Sequence, residues 1–275
     1  MSKDFIHNNI LQGVADAIRY CDDTTAGIAP VDYAERIRAL DKLIPQPDAL
    51  NFYMPDGGTI TLTRVGSPIT VTLEYSIDRG ATWTDWNETN RQRTITLTAG
   101  QRVYVRNKSD SSEGFSQSAN SYYQFAINGI CYAYGNTFSL LERVPNINRQ
   151  LYNLYQVFHF LFMDCADLIT APDLIDNRVS TSSYNCMFLR CSNLIKAPEL
   201  LFTDTANYCC YRMFEGTKVN LIKTNMTNCS SNYAISNWLL NVPAVGDFYC
   251  PSTLTIPTGD SGIPSGWTRH DLPTE

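Results

Sequence analysis

The chain has 275 residues, of which 44% are hydrophobic and 17% charged, so it reads as an ordered globular protein rather than a disordered tail. A net charge of -6 with scattered basic residues excludes a role on duplex nucleic acid or on an anionic membrane, both of which need clustered Lys and Arg. No stretch approaches the roughly eighteen apolar residues of a membrane-spanning helix, so membrane insertion is not expected.

The first apolar run, Ile10-Leu11, is too short for the core of a signal peptide, and no export leader is expected. Nine Cys in such a chain read as buried thiols rather than disulfides. Residues 5–20 carry Ile6, Ile10, Val14 and Ile18 at helical spacing, with Asp4 as N-cap. After a polar turn, Pro30 begins a second helix through Tyr33, Ile37 and Leu40, which Pro45 and Pro47 end. A helical hairpin over 1–46 is therefore expected. It is too small to stand alone, so its apolar face docks either on its own neighbouring domain or on a larger assembly, or it oligomerises.

From about Asn51 the period changes to two. Ile60 and Leu62, then Ile69, Val71, Leu73 and Tyr75, then Ile95 and Leu97 alternate with polar residues, as half-buried antiparallel strands do. Gly57-Gly58, Gly66-Ser67-Pro68, Asp78-Arg79-Gly80 and Ala99-Gly100 separate them. Further strands at Val103–Arg106, Tyr122–Ile127 and Ile130–Tyr134 complete an immunoglobulin-like antiparallel sandwich over 47–141, which reads as a spacer. Within it, Ser76-Ile77-Asp78-Arg79-Gly80-Ala81-Thr82-Trp83 resembles the Asp-box of sialidases. That resemblance implies a structural hairpin whose Asp satisfies turn amides and whose Trp returns to the core. One sandwich leaves no room for a sialidase propeller and its arginine cluster.

Next, one pattern is written twice. Phe162, Cys165, Leu168, Ile169, Ala171, Pro172, Asp173 and Leu174 reappear 26 positions later as Phe188, Cys191, Leu194, Ile195, Ala197, Pro198, Glu199 and Leu200. A third copy starts at Met213-Phe214 and fades after Val219 and Leu221. A period of 26 predicts a short leucine-rich-repeat-like solenoid over 142–222, with strands at Leu168-Ile169 and Leu194-Ile195 and with Ala-Pro ending each. Residues 223–275, rich in Pro and Gly, lose the repeat and read as a C-terminal cap.

Two further resemblances bear on function. The run Ala17-Ile18-Arg19, Thr24-Thr25, Ile28, Pro30, Asp32, Ala34, Ile37-Arg38, Leu40 is similar to the hairpin near the N-termini of many phage tail, baseplate and fibre-type proteins. The order of sandwich, Phe-x-x-Cys-x-x-Leu-x-x-Ala-Pro-x-Leu repeats and closing Phe248-Tyr249-Cys250-Pro251 and Ile263-Pro264-Ser265-Gly266-Trp267-Thr268 resembles BspA-like leucine-rich repeat proteins of Bacteroides-type bacteria and their phages, over about residues 55–270.

The resemblances imply a non-enzymatic fibre or decoration protein of a crass-like phage. It would be made in the host cytoplasm and carried on the virion surface. Its hairpin residues Ile6, Ile10, Val14, Ile18, Tyr33, Ile37 and Leu40 would bind other virion proteins or a second and third copy of the chain. Its repeats would face a host glycan or protein, with Tyr184, Tyr208 and Tyr211 as candidate ligand contacts. A bacterial surface adhesin is one alternative. A glycan depolymerase is another, and its acid pair could only be Asp173 and Glu199, one repeat apart. No metal or cofactor is expected, since Cys209-Cys210 are adjacent, no C-x-x-C occurs, and His7, His159 and His270 are dispersed.

Overall fold

A computed structural model describes residues 49–68, 70–109, 115–142, 154–176 and 178–272. The chain divides into two units, Met1–Pro47 and Asp48–Glu275, and all described residues belong to the second. The helical hairpin expected over 1–46, with Ile6, Ile10, Val14, Ile18, Tyr33, Ile37 and Leu40, lies outside the described residues. Among these there is no α-helix, only a 3-10 turn at Thr137–Leu140. The expected fold class, mainly β with an opening helical hairpin and an antiparallel sandwich, is corrected accordingly: the described residues are mainly β but hold no α-helix, and the larger sheet is mixed rather than antiparallel.

Twelve strands form it: β1 Leu50–Met54, β2 Gly58–Val65, β3 Leu73–Ser76, β4 Thr84–Asp85, β5 Gln92–Leu97, β6 Gln101–Asn107, β7 Tyr122–Asn128, β8 Cys131–Tyr134, β9 Leu168–Thr170, β10 Leu221–Lys223, β11 Gly246–Pro251 and β12 Trp267–Leu272. One sheet has the order β5-β2-β7, the second β4-β3-β6-β1-β8-β9 and the third β10-β11-β12. The period-two reading holds in β2 and β5 but not in β3, where Glu74 is buried and Tyr75 only half-buried. In β5, Arg93, Ile95 and Leu97 are buried while their neighbours face water, and Ile60 and Leu62 of β2 pair with Ile95 and Arg93. Between the first two sheets Phe52, Trp86 and Phe125 meet, with ring centroids 5.1 Å apart for Phe52–Phe125 and 6.5 Å for Trp86–Phe125.

The Asp-box forms, with one correction. Asp78 accepts from Ser76 Oγ at 2.7 Å and from the Thr82 amide at 2.9 Å, and these bonds pull its carboxyl down to about 2. Trp83 does not return to the core. Its ring lies 3.7 Å beneath the Arg106 guanidinium, and its indole N–H donates to Gly80 O at 3.0 Å. The core indole is Trp86, three positions on.

The larger sheet crosses the boundary placed between 141 and 142, because β9, the strand of the first coil, pairs parallel with β8 at Cys131↔Leu168. One hydrophobic core then runs from Leu50 to Trp267. Its axis is a file of rings, Phe125–Phe162–Phe188–Phe214, spaced 5.1, 5.5 and 5.6 Å and tilted by no more than 14°. The two cysteines of the repeat fill the interior beside that file. Cys165 Sγ donates to Phe125 O at 3.1 Å and Cys191 Sγ to Phe162 O at 2.9 Å, and burial pushes both thiols up.

The return side of each coil is a run of overlapping turns. His159, Leu161, Met163 and Cys165 donate their amides three residues back, to Gln156, Phe158, Phe160 and Phe162. The amides between them reach forward instead. Phe158, Phe160 and Phe162 donate to the carbonyls of Ser183, Asn185 and Met187 in the next coil, at 2.9, 3.1 and 2.9 Å. Such a path needs a left-handed residue at every fourth position, and it has one: Gln156, Phe160 and Asp164, then Ser182, Cys186 and Arg190, then Tyr208, Arg212 and Gly216, then Tyr233, Asn237 and Asn241. Only Gly216 among them is a glycine, and each of the others costs about 1–2 kcal/mol. Local preference therefore opposes the coil. What offsets it is inter-coil hydrogen bonding, about 0.5–1.5 kcal/mol per bond, together with the buried ring file, and neither exists for a coil alone.

The tail does not lose the repeat in space. Tyr208, Cys210, Arg212, Phe214 and Gly216 donate to Asn232, Ala234, Ser236, Trp238 and Leu240, so residues 232–240 form another turn run. The rungs continue as Ile222↔Phe248↔Arg269. Trp238 takes the place of the next Phe, fully buried, with its N–H on Gly262 O at 2.8 Å.

Candidate functional site

The rungs of the coils build a groove of about 530 Å³. Pro172 and Pro198 follow the rungs Leu168–Thr170 and Leu194–Lys196, and because Pro has no amide to donate, the ladder is interrupted there. Pairing resumes at Leu174↔Leu200↔Thr224. The hollow lies over Ile195 and Leu221, one residue from each of two successive coils, which remain 54% and 49% exposed. Large apolar residues exposed together in a groove are a binding feature rather than a packing one.

Charged groups rim this floor. Glu199 Oε1 meets Lys223 Nζ at 2.6 Å, at the level set by the Leu200↔Thr224 pairing. Both side chains are nearly half exposed, so the pair contributes at most about 1 kcal/mol to stability. Lys196 also lines the groove, is exposed, and makes no ion pair among the described residues. Tyr134 closes one end. Its ring is held 4.9 Å from the Arg102 guanidinium, which also covers Tyr53 at 5.5 Å and donates to Asn51 Oδ1 at 2.7 Å. Beyond Lys223 the same rungs carry Tyr249 stacked on His270 at 4.4 Å, with His270 Nε2 2.7 Å from Asp247.

Asp173 and Glu199, the repeat-related acids, both line this groove. Glu199 is engaged by Lys223, and the Asp173 amide donates to Gly135 O at 2.8 Å. The three candidate tyrosines do not come together. Tyr184 is fully buried, stacked between Phe158 at 6.2 Å and Phe202 at 6.4 Å, so it is a core ring and not a ligand contact. Tyr208 and Tyr211 reach the surface on the turn run, 5.8 Å apart edge to face. Tyr208 also stacks on Tyr233 at 5.0 Å, a partner that a period of 26 misses because this coil is one residue shorter.

Sequence reasoning also missed Lys196, Ile195 and Leu221 as a surface. Part of the signal was present: Ile169 and Ile195 stand 26 residues apart beside buried Leu168 and Leu194, where an inward apolar face accounts for only one of each pair. His159 is buried with neither ring nitrogen bonded, and burial holds it down to about 4. Among the described residues no group of three or more His, Cys, Asp or Glu side chains is placed to hold a metal ion, and no helix is long and apolar enough to cross a membrane. No family model matches the chain, and no curated protein or solved structure matches it either.

Proposed function

We propose that the chain is a non-enzymatic structural protein of a bacteriophage virion, a fibre or decoration that displays its coils for attachment to the host surface. The observation that carries this reading is the fusion of sandwich and coils into one body through β8, β9 and a shared core. Such a body holds an open groove rigidly at a distance from its other end, which suits display. It has the order expected of an attachment protein: a first unit of 47 residues for assembly with other virion proteins or further copies, then a rigid carrier, then a surface. The resemblance of the repeats to BspA-like proteins and of residues 17–40 to phage structural proteins points the same way.

The test is the protein content of purified particles. Mass spectrometry should find the chain in virions at a fixed ratio to the capsid protein, and antibody labelling should decorate intact particles. Its absence from particles, with the protein on bacterial cells that carry no prophage, would replace this reading with a bacterial adhesin.

A further inference from the structure

The geometry points to the rung-side groove as a saccharide site that selects a sugar bearing a carboxylate, with Ile195, Leu221 and Tyr134 meeting the sugar's C–H face and Lys196 its charge. This rests on the attachment reading above and adds the class of ligand. The first step is what the floor can offer. Where the first two rungs meet, backbone groups are paired: the Ile195 amide donates to Ile169 O at 3.0 Å and the Ala171 amide to Lys196 O at 3.0 Å. That part of the groove is the flat of a ladder and not its edge, and an extended peptide cannot join it there as a strand. Recognition on it falls to side chains.

Those side chains combine apolar patches with single polar groups. Ile195 and Leu221 stand on successive coils, offset along the rungs because the Leu200↔Thr224 pairing sets Leu221 across from Ala197, and both expose apolar surface to the groove. Tyr134, fixed by Arg102 behind it, presents a ring at one end of the groove. Asn220 supplies an amide at its side, while the Thr170 hydroxyl is buried and donates to Ala133 O at 2.9 Å. A pyranose has this same division, an apolar C–H face and a rim of hydroxyls. A volume of about 530 Å³ lies within the range of ligand pockets and admits a short oligosaccharide.

Charge decides the kind of sugar. Lys223 is matched by Glu199, whereas Lys196 has no anionic partner among the described residues. An ammonium beside an apolar surface calls for one anionic group on the ligand. A polyanion such as nucleic acid is disfavoured by the carboxylates of Asp173 and Glu199 on the same rim and by the net charge of -6. One carboxylate per recognised unit fits; a continuous phosphate backbone does not.

The experiment uses the purified full chain on an array of oligosaccharides that includes uronic-acid and sialic-acid members beside their methyl esters and neutral counterparts. Binding should concentrate on the free carboxylates and fall about tenfold or more on esterification, the scale of one charge-assisted contact. Lys196→Met should erase that preference, and Ile195→Ser should weaken acidic and esterified sugars alike. Both positions are solvent-exposed, so the variants keep the fold, which an unchanged urea midpoint verifies. No carboxylate-bearing glycan bound, equal binding to the esters, or an unaltered preference in Lys196→Met would each overturn the assignment. Because the array uses isolated protein, its outcome is independent of whether the chain is found in virions.

Discussion

Truncating Phe162 should loosen the sandwich and the coils together. The ring is fully buried at the junction, 5.1 Å from Phe125 in β7, 5.5 Å from Phe188 in the next coil and 6.2 Å from Phe52 in β1. Burial of such a ring contributes about 1.5–3 kcal/mol, and each favourable ring pair about 0.5–1.5 kcal/mol more. Phe162→Ala should therefore cost about 3–5 kcal/mol, the usual range for a buried Phe. The informative readout is where the loss falls. Native-state hydrogen exchange followed by mass spectrometry, with peptides covering β6 (Gln101–Asn107) and the turn run 208–216, reports the two ends of the core separately. A shared core predicts that the opening free energy of both peptides drops by a similar amount. Loss confined to the coils, with β6 as protected as before, would refute the single-body reasoning.

Three other outcomes are expected. His159 is held neutral by burial, with its folded value near 4 against about 6.5 unfolded, so its contribution is present above 6.5 and is lost as pH falls towards 4; at pH 5 the protein should be about 2 kcal/mol less stable than at pH 7 from this group, and urea midpoints of His159→Phe should lose that part of the acid sensitivity. The Asp78 carboxyl should titrate near pH 2 by NMR, so the Asp-box bonds persist well below the unfolded value of about 3.9 and weaken only as pH falls through 2; a midpoint near 4 would mean that the bonds from Ser76 and Thr82 are absent. Gly216 has φ +74, and a Cβ there would meet nothing nearer than 3.7 Å, so Gly216→Ala should cost only the left-handed backbone, about 1–2 kcal/mol, and Gly216→Val clearly more; a neutral Ala variant would show that the turn run does not take the left-handed path.

How much of this was legible depended on whether a residue's identity encodes its environment. Ile60, Leu62, Ile95 and Leu97 declare the sandwich because alternation follows from one buried face. Phe162 and Phe188 declare the coils because a stacked file tolerates little but another ring. The turn run was hard to read, since most of its left-handed positions are filled by Gln, Phe, Ser, Cys, Arg and Tyr, residues with no preference for that conformation, and only Asp164, Gly216, Asn237 and Asn241 favour it. Tertiary bonding imposes it. The last coils were hidden for a related reason: Trp238 replaces the Phe of earlier coils at a shorter spacing, so the fold repeats where the letters do not. Tyr184 and Trp83 were each assigned the wrong side of the surface. Tyr184 stacks in the core because its neighbours Phe158 and Phe202 do, and Trp83 stays out because Arg106 offers its ring a cation. The groove escaped notice because its apolar floor, Ile195 and Leu221, looks like ordinary strand patterning in the sequence.

The most direct test of the account is detection of the bonds that hold coil to coil. In a deuterated sample, through-hydrogen-bond NMR couplings should connect the amides of Tyr184, Cys186 and Phe188 to the carbonyls of Cys209, Tyr211 and Met213, for which the donor–acceptor distances are 2.8, 2.8 and 3.0 Å. The intervening amides of Asn185, Met187 and Leu189 should couple three residues back, to Ser182, Tyr184 and Cys186. Couplings from each amide to the carbonyl four residues earlier, with none between residues about 25 apart, would make these segments separate helices, and the displayed groove would go with the ladder.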